Sequence, residues 1–121
     1  MFSEAVLDHF RNPRNAGELP DADATVEVSN PVCGDVLRLS ARVREGRLIE
    51  ARFLCRGCTT AIACASVLTE QLGDRSAKEF DAITAEYIAA ALGGLPAATF
   101  HGAQLAEEAA RALGKKVAAS S

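Results

Sequence analysis

The stretch Val36-Leu-Arg-Leu-Ser-Ala-Arg-Val-Arg44-Glu45-Gly46-Arg47-Leu-Ile-Glu-Ala-Arg-Phe-Leu54 decides the fold. In its first half Leu37, Leu39, Ala41 and Val43 fall on one side, and Arg38, Ser40, Arg42 and Arg44 on the other. A period of two with one polar face is the mark of an antiparallel strand that is wet on one side. Glu45-Gly46 reads as a tight hairpin turn, and Arg47 to Leu54 as the returning strand, with Ile49, Ala51 and Phe53 expected inward. Upstream, Ala24 to Ser29 alternates in the same way, with Val26 and Val28 on one side. Asn30-Pro31-Val32-Cys33-Gly34-Asp35 between them is a turn by composition. The three segments predict an antiparallel meander.

Helical spacing flanks this meander. Ser3 is a candidate N-cap for a short first helix with Glu4 in its first turn, and Val6, Leu7 and Phe10 share a face. Pro13 and Gly17 end that helix, leaving Arg14 to Asp23 as a loop. After the sheet, Thr59 to Leu72 carries Ala61, Ile62, Ala65, Leu68 and Leu72 as one apolar stripe, and Gly73 stops it. Ser76 and Glu79 form a capping-box pattern. Thr84 caps another helix that runs to Gly93-Gly94, and Leu95-Pro96 breaks the chain. A last helix is expected from Gly102 to Leu113, with Leu105, Ala109, Ala112 and Leu113 inward. Gly114 reads as its cap and Lys115 to Ser121 as a loose tail. Strands first and helices afterwards give an α+β class: a three-stranded antiparallel sheet with helices packed on one face.

The chain has 121 residues, which predicts one domain over 1–121 with a core of its own. A net charge of -3 argues against a nucleic-acid binder, which is normally basic. No apolar run approaches a membrane span, and the first residues lack the basic and apolar regions of a secretory signal, so the chain is expected in the cytoplasm. In a reducing compartment, four clustered cysteines suit metal or reactive chemistry better than disulfides.

Three of those cysteines lie in Cys55-Arg-Gly-Cys58-Thr-Thr-Ala-Ile-Ala-Cys64, where strand pattern gives way to helix pattern. Gly57 is read as the residue that lets the backbone turn before Cys58. Cys33 opens the second strand and Cys58 follows the third. These strands are antiparallel, so the two cysteines can converge at one end of the sheet. Asp35 adds an oxygen donor and His101, at the start of the last helix, an imidazole. Cysteine, aspartate and histidine together suit Zn²⁺ or an iron–sulfur cluster. The competing reading is that these are turn residues and a surface histidine. Cys55 and Cys58 have the C-x₂-C spacing of a zinc or redox knuckle, yet alternation also places Cys55 on the core side. Cys64 lies about 9 Å along the helix from Cys58, at 1.5 Å per residue, and reads as a small buried hydrophobe. The outer-face arginines Arg38, Arg42 and Arg44 read as a solvated face, with docking of an acidic partner as the alternative.

Four motifs in order carry a resemblance. They are Asp8-His9-Phe10-x-x-Pro13-Arg14-Asn15-x-Gly17, then Asn30-Pro31-x-Cys33-Gly34-Asp35, then Gly57-Cys58-x-x-Ala61-Ile62-Ala63, then His101 before Leu105-Ala106-Glu107-Glu108-Ala109. Together they resemble the IscU/NifU N-terminal type of iron–sulfur cluster assembly scaffold over nearly the whole chain. The resemblance implies a scaffold rather than an enzyme. Such a scaffold builds a [2Fe–2S] cluster from iron and from sulfur delivered by a cysteine desulfurase, and passes it to apo-proteins. It also implies Zn²⁺ as a possible occupant of the same place. Cys33 and Cys58 match two of the family's three cluster cysteines, Asp35 matches the aspartate that makes the cluster labile, and His101 matches the histidine beside the third cysteine.

The chain departs from the pattern where that third cysteine would stand, because residue 102 is glycine. Leu95-Pro96-Ala97-Ala98-Thr99 also departs from the Leu-Pro-Pro-x-Lys segment that a dedicated Hsp70-type chaperone grips, so the resemblance does not extend to chaperone-driven transfer. Two readings follow. One is a working scaffold using Cys33, Cys58 and His101 with Asp35 or Cys55. The other is a degenerate paralogue that binds Zn²⁺ or docks to the desulfurase without building a cluster. A dithiol redox protein using Cys55 and Cys58 is a third class, disfavoured because the pair lies outside a βαβ unit.

Overall fold

A computed structural model describes residues 2–32 and 34–119. The elements are α1 (Glu4–Arg11), β1 (Ala24–Ser29), β2 (Val36–Arg44), β3 (Arg47–Arg56), α2 (Thr59–Leu72), α3 (Ala77–Phe80), α4 (Ala85–Ala91), a 3₁₀ turn (Ala97–Thr99) and α5 (His101–Ala119). The strands form one antiparallel sheet in the order β1-β2-β3. The meander is the one its alternation predicts. Glu45 and Gly46 both take positive φ, 54° and 77°, the backbone hand that matches a hairpin's twist.

Inside the sheet the pattern slips once. Val43 pairs with Leu48 while Arg42 pairs with Glu50, so Ile49 is an extra residue in β3. Such a bulge turns Leu48 inward and Ile49 outward. Leu48 is 3% exposed and Ile49 49%, which reverses the expectation for Ile49. Beyond the bulge, Ala51 and Phe53 face the core as expected.

The free edge of β3 is covered twice. Gly17 donates to the Phe53 carbonyl and the Phe53 N–H to the Asn15 carbonyl, at 2.8 and 3.0 Å. Lower down, Leu48 N–H donates to Arg75 and Asp74 N–H to Leu48, both at 2.9 Å. The outer face carries cross-strand ion pairs, Arg38 to Glu27 at 3.3 Å and Arg42 to Glu50 at 3.8 Å, with Arg52 to the same Glu50 at 3.2 Å.

The helices cover the other face. α2 is the central one, packed by α1, α5, α4 and β3. It is therefore buried on most sides, not along the single stripe its apolar residues suggest. Thr60, Cys64, Ser66 and Thr69 are buried along with Ala61, Leu68 and Leu72, while Ile62 is only half-buried. α3 is closed by the expected Ser76–Glu79 capping box and α4 by Thr84, whose hydroxyl accepts from Tyr87 N–H.

Two helix faces differ from the periodicity. In α1 the buried residues are Val6 and His9, while Phe10 is 39% exposed. α1 leans on Ser66 of α2, and this polar partner draws the imidazole inward: His9 Nδ1 lies 2.7 Å from Ser66 Oγ. At the other end, α5 does not stop at Gly114 but runs to Ala119, with Val117 buried. Gly114 is a packing glycine. A Cβ there would meet the Ala77 carbonyl at 3.1 Å and the Phe80 ring at 3.4 Å.

The His9 contact makes stability pH-dependent. Ser66 Oγ accepts the Arg14 N–H at 2.8 Å and is also hydrogen-bonded to His9 Nδ1, while His9 Nε2 lies 3.6 Å from Glu70. Burial, reinforced by the Arg14 guanidinium and opposed by Glu70, holds the imidazole below its ordinary value of 6.5. The unfolded chain thus binds this proton more readily than the folded one, so stability rises with pH here. The contribution is complete above 6.5 and is lost as pH falls from there through the lower folded value. Thermal melts from pH 7.5 to 5.5 should fall, and His9→Gln should flatten that slope; an equal slope in the variant would remove His9 as its source.

Candidate metal centre

The register of the sheet builds the site. Val36 pairs with Arg56 on the last rung, and Leu37 with Cys55 on the rung before. Continued one residue further, the ladder sets Asp35 beside Gly57, on the same side as Leu37 and Cys55, because faces alternate. Asp35 is accordingly turned toward the helices, and it is only 6% exposed. The chain leaving β3 enters α2 at once, with Cys58 as N-cap in extended conformation. Its side chain makes no capping bond and is exposed. α5 opens on His101 after the 3₁₀ turn, directly across from the α2 N-terminus.

Three different donors meet there. One carboxylate oxygen of Asp35, Sγ of Cys58 and one imidazole nitrogen of His101 all lie within 4.8 Å of one another. His101 Nε2 is 3.7 Å from Asp35 Oδ2. That oxygen is buried and has no hydrogen-bond partner among the described residues. A buried carboxylate oxygen without a donor is costly, and a cation is the partner its charge calls for.

The other candidates separate. Cys33 lies outside the described residues. Cys55 is half-buried against the core, opposite Leu37, and is not in the group of three. Burial, with the Asp35 carboxylate and Cys58 adding to it, pushes the Cys55 thiol up to about 12. Cys64 is fully buried, and burial likewise pushes its thiol to about 12. Both are neutral thiols at pH 7, and Cys64 is the buried hydrophobe its position predicts.

Gly102 is buried where α5 crosses the first turn of α2. A Cβ at 102 would stand 3.2 Å from Ala61 N and Cα, and 3.4 Å from Thr60 C. These are backbone atoms, so any side chain at 102 requires the two helices to part by a few tenths of an ångström. Sequence reading finds the glycine but not this closeness, which depends on how two distant segments cross.

The NifU-like N-terminal domain model matches residues 1–118. This chain belongs to that family. Within it, the chain is 42% identical to the iron-sulfur cluster assembly scaffold protein IscU 1 of Archaeoglobus fulgidus over 111 residues, covering 92% of this chain and 72% of the relative. It is also 42% identical to IscU of Azotobacter vinelandii over 115 residues, covering 92% and 89%. Among solved structures it resembles the NifU-like protein (N-terminal) from Brucella abortus, with a TM-score of 0.77, 17% identity and coverage of 98% and 94%. At that identity the last comparison speaks for the fold alone. In this NifU-like domain, the carboxylate, thiol and imidazole converge from the residue before β2, the N-terminus of α2 and the start of α5.

Proposed function

We propose that this chain is an iron–sulfur cluster assembly scaffold, and that Asp35, Cys58 and His101, with Cys33, hold a [2Fe–2S] cluster as cargo. The observation that carries the reading is the convergence of three unlike donors around a buried, unpartnered carboxylate oxygen. Thiolates are the usual iron–sulfur ligands, while imidazole and carboxylate are weaker ones for a cluster. A mixed set suits a cargo that must leave again. The residues bind and release; no step needs the protein to turn over a substrate. Sulfur would come from a cysteine desulfurase and the finished cluster would go to apo-proteins, as the resemblance drawn from the motifs implies; the relatives' names carry the assembly role.

Anaerobic reconstitution with ferrous iron, cysteine and a cysteine desulfurase tests this. The expected result is visible absorption, with iron and acid-labile sulfide in the ratio of a [2Fe–2S] cluster, and loss of both when an apo-ferredoxin is added. A colourless protein that is purified with stoichiometric zinc would overturn the scaffold reading. It would favour the second reading, a zinc-binding relative, which the compactness of the group supports. Ligands around one tetrahedral ion stand about 3.5 Å apart, given metal–ligand distances near 2.0–2.3 Å, and the donors here already lie within 4.8 Å.

A further inference from the structure

We infer that Gly57 is a positioning residue for this site: the space where its side chain would be is occupied by the Asp35 carboxylate. This rests on the metal-site reading above and adds a residue to it. A Cβ at position 57 would stand 2.9 Å from both Cγ and Oδ1 of Asp35, closer than carbon atoms approach. The backbone gives no other reason for glycine here. Gly57 is absent from the positive-φ glycines, which are Gly17, Gly34, Gly46, Gly93 and Gly94. Its φ therefore lies outside the left-handed region, and φ alone does not require glycine before Cys58.

The register explains the crowding. Asp35 and Gly57 are the next opposed pair beyond Val36 and Arg56, and opposed side chains on one face of a sheet touch. With no side chain at 57, Cγ and Oδ1 of the carboxylate occupy the space a Cβ would take, and Oδ2 lies 3.7 Å from His101 Nε2. A methyl group at 57 would lift the carboxylate out of this arrangement. The same methyl group would also stand 3.2 Å from the Ala61 Cβ, a second close contact at this position.

The test is a double-mutant cycle on the full chain with Gly57→Ala and Asp35→Ala. Two readouts are used: the Tm of the metal-free protein, and Co²⁺ affinity followed by its visible ligand-field bands. Gly57→Ala is expected to lower Tm more in the wild type than in the Asp35→Ala background, where only the Ala61 contact remains. It is also expected to weaken Co²⁺ binding about 10–100-fold, as lost orientation of a metal ligand does, and to weaken it no further once Asp35 is alanine. An equal Tm loss in both backgrounds, or a double variant that fails to fold, would overturn the inference, because the glycine would then matter for its backbone or its Ala61 contact and not for Asp35. So would wild-type Co²⁺ affinity in Gly57→Ala when Asp35→Ala binds weakly. If Asp35→Ala itself binds Co²⁺ as the wild type does while the Tm coupling holds, the metal-site reading fails and the contact between Gly57 and Asp35 stands.

Discussion

Cys58→Ser is expected to come out of anaerobic reconstitution colourless, with a melting temperature no lower than the wild type's. Both halves follow from where Cys58 sits. It is exposed, makes no capping bond and contributes nothing to the core, so exchange for serine costs no more than about 0.5 kcal/mol, and the hydroxyl can add the cap that α2 lacks. It is also the thiol that stands with Asp35 and His101. A serine hydroxyl is a poor ligand for iron, and neither remaining cysteine within reach of α2 can replace it: Cys55 faces the core and Cys64 is fully buried. Absorption and bound iron should fall to background. Cluster retained at wild-type occupancy would remove Cys58 from the ligand set.

The largest loss of stability is expected from Phe80→Ala. Phe80 is fully buried, the largest such side chain in the chain, and its ring fills the place beside Gly114 where α3 meets α5. Truncating a buried phenylalanine costs about 3–5 kcal/mol, part transfer and part cavity. For a domain of this size, that lowers the melting midpoint by roughly 10–25 °C. The site should survive in the cold. Gly114 is thirteen residues from His101, which puts the lesion about 20 Å down the helix axis from the cargo site. Calorimetry together with Co²⁺ binding at low temperature separates the two effects. A midpoint shift of only a few degrees would mean that the α3–α5 contact closes over the cavity.

The sheet was legible because its code is local. Leu37, Leu39 and Ala41 alternate with polar residues, and Glu45-Gly46 announces the hairpin. Ile49 was not legible, since Leu48 and Ile49 are both apolar and only the pairing partner decides which is the extra residue. His9 and Phe10 were inverted for a related reason. Hydropathy favours the ring of Phe10, but the buried Ser66 hydroxyl on another helix offers the imidazole a partner. Glycine misled twice. At 114 and 57 it was read as a backbone signal, a stop and a turn, and in both places its value is the absence of a side chain against a distant neighbour. The site itself lay in the motifs for Asp35, Cys58 and His101. That Asp35 is turned inward could have been found by extending the alternation of 37, 39 and 41 back by one step.

The covered flank of β3 has a consequence for self-association. A sheet grows by adding a strand to an edge whose N–H and C=O groups are unspent. Along β3, the segments around Asn15 and Asp74 have already taken the bonds of Phe53 and Leu48. Recruitment of a foreign strand there requires peeling away part of the protein's own chain. That leaves β1 as the open flank, and α5 guards it: the Lys116 ammonium donates to the Thr25 carbonyl at 2.8 Å. A charged side chain laid over an edge is a gatekeeper against fibrillar stacking. The final turns of α5, far from Asp35, Cys58 and His101, thus lay a charge over the β1 edge.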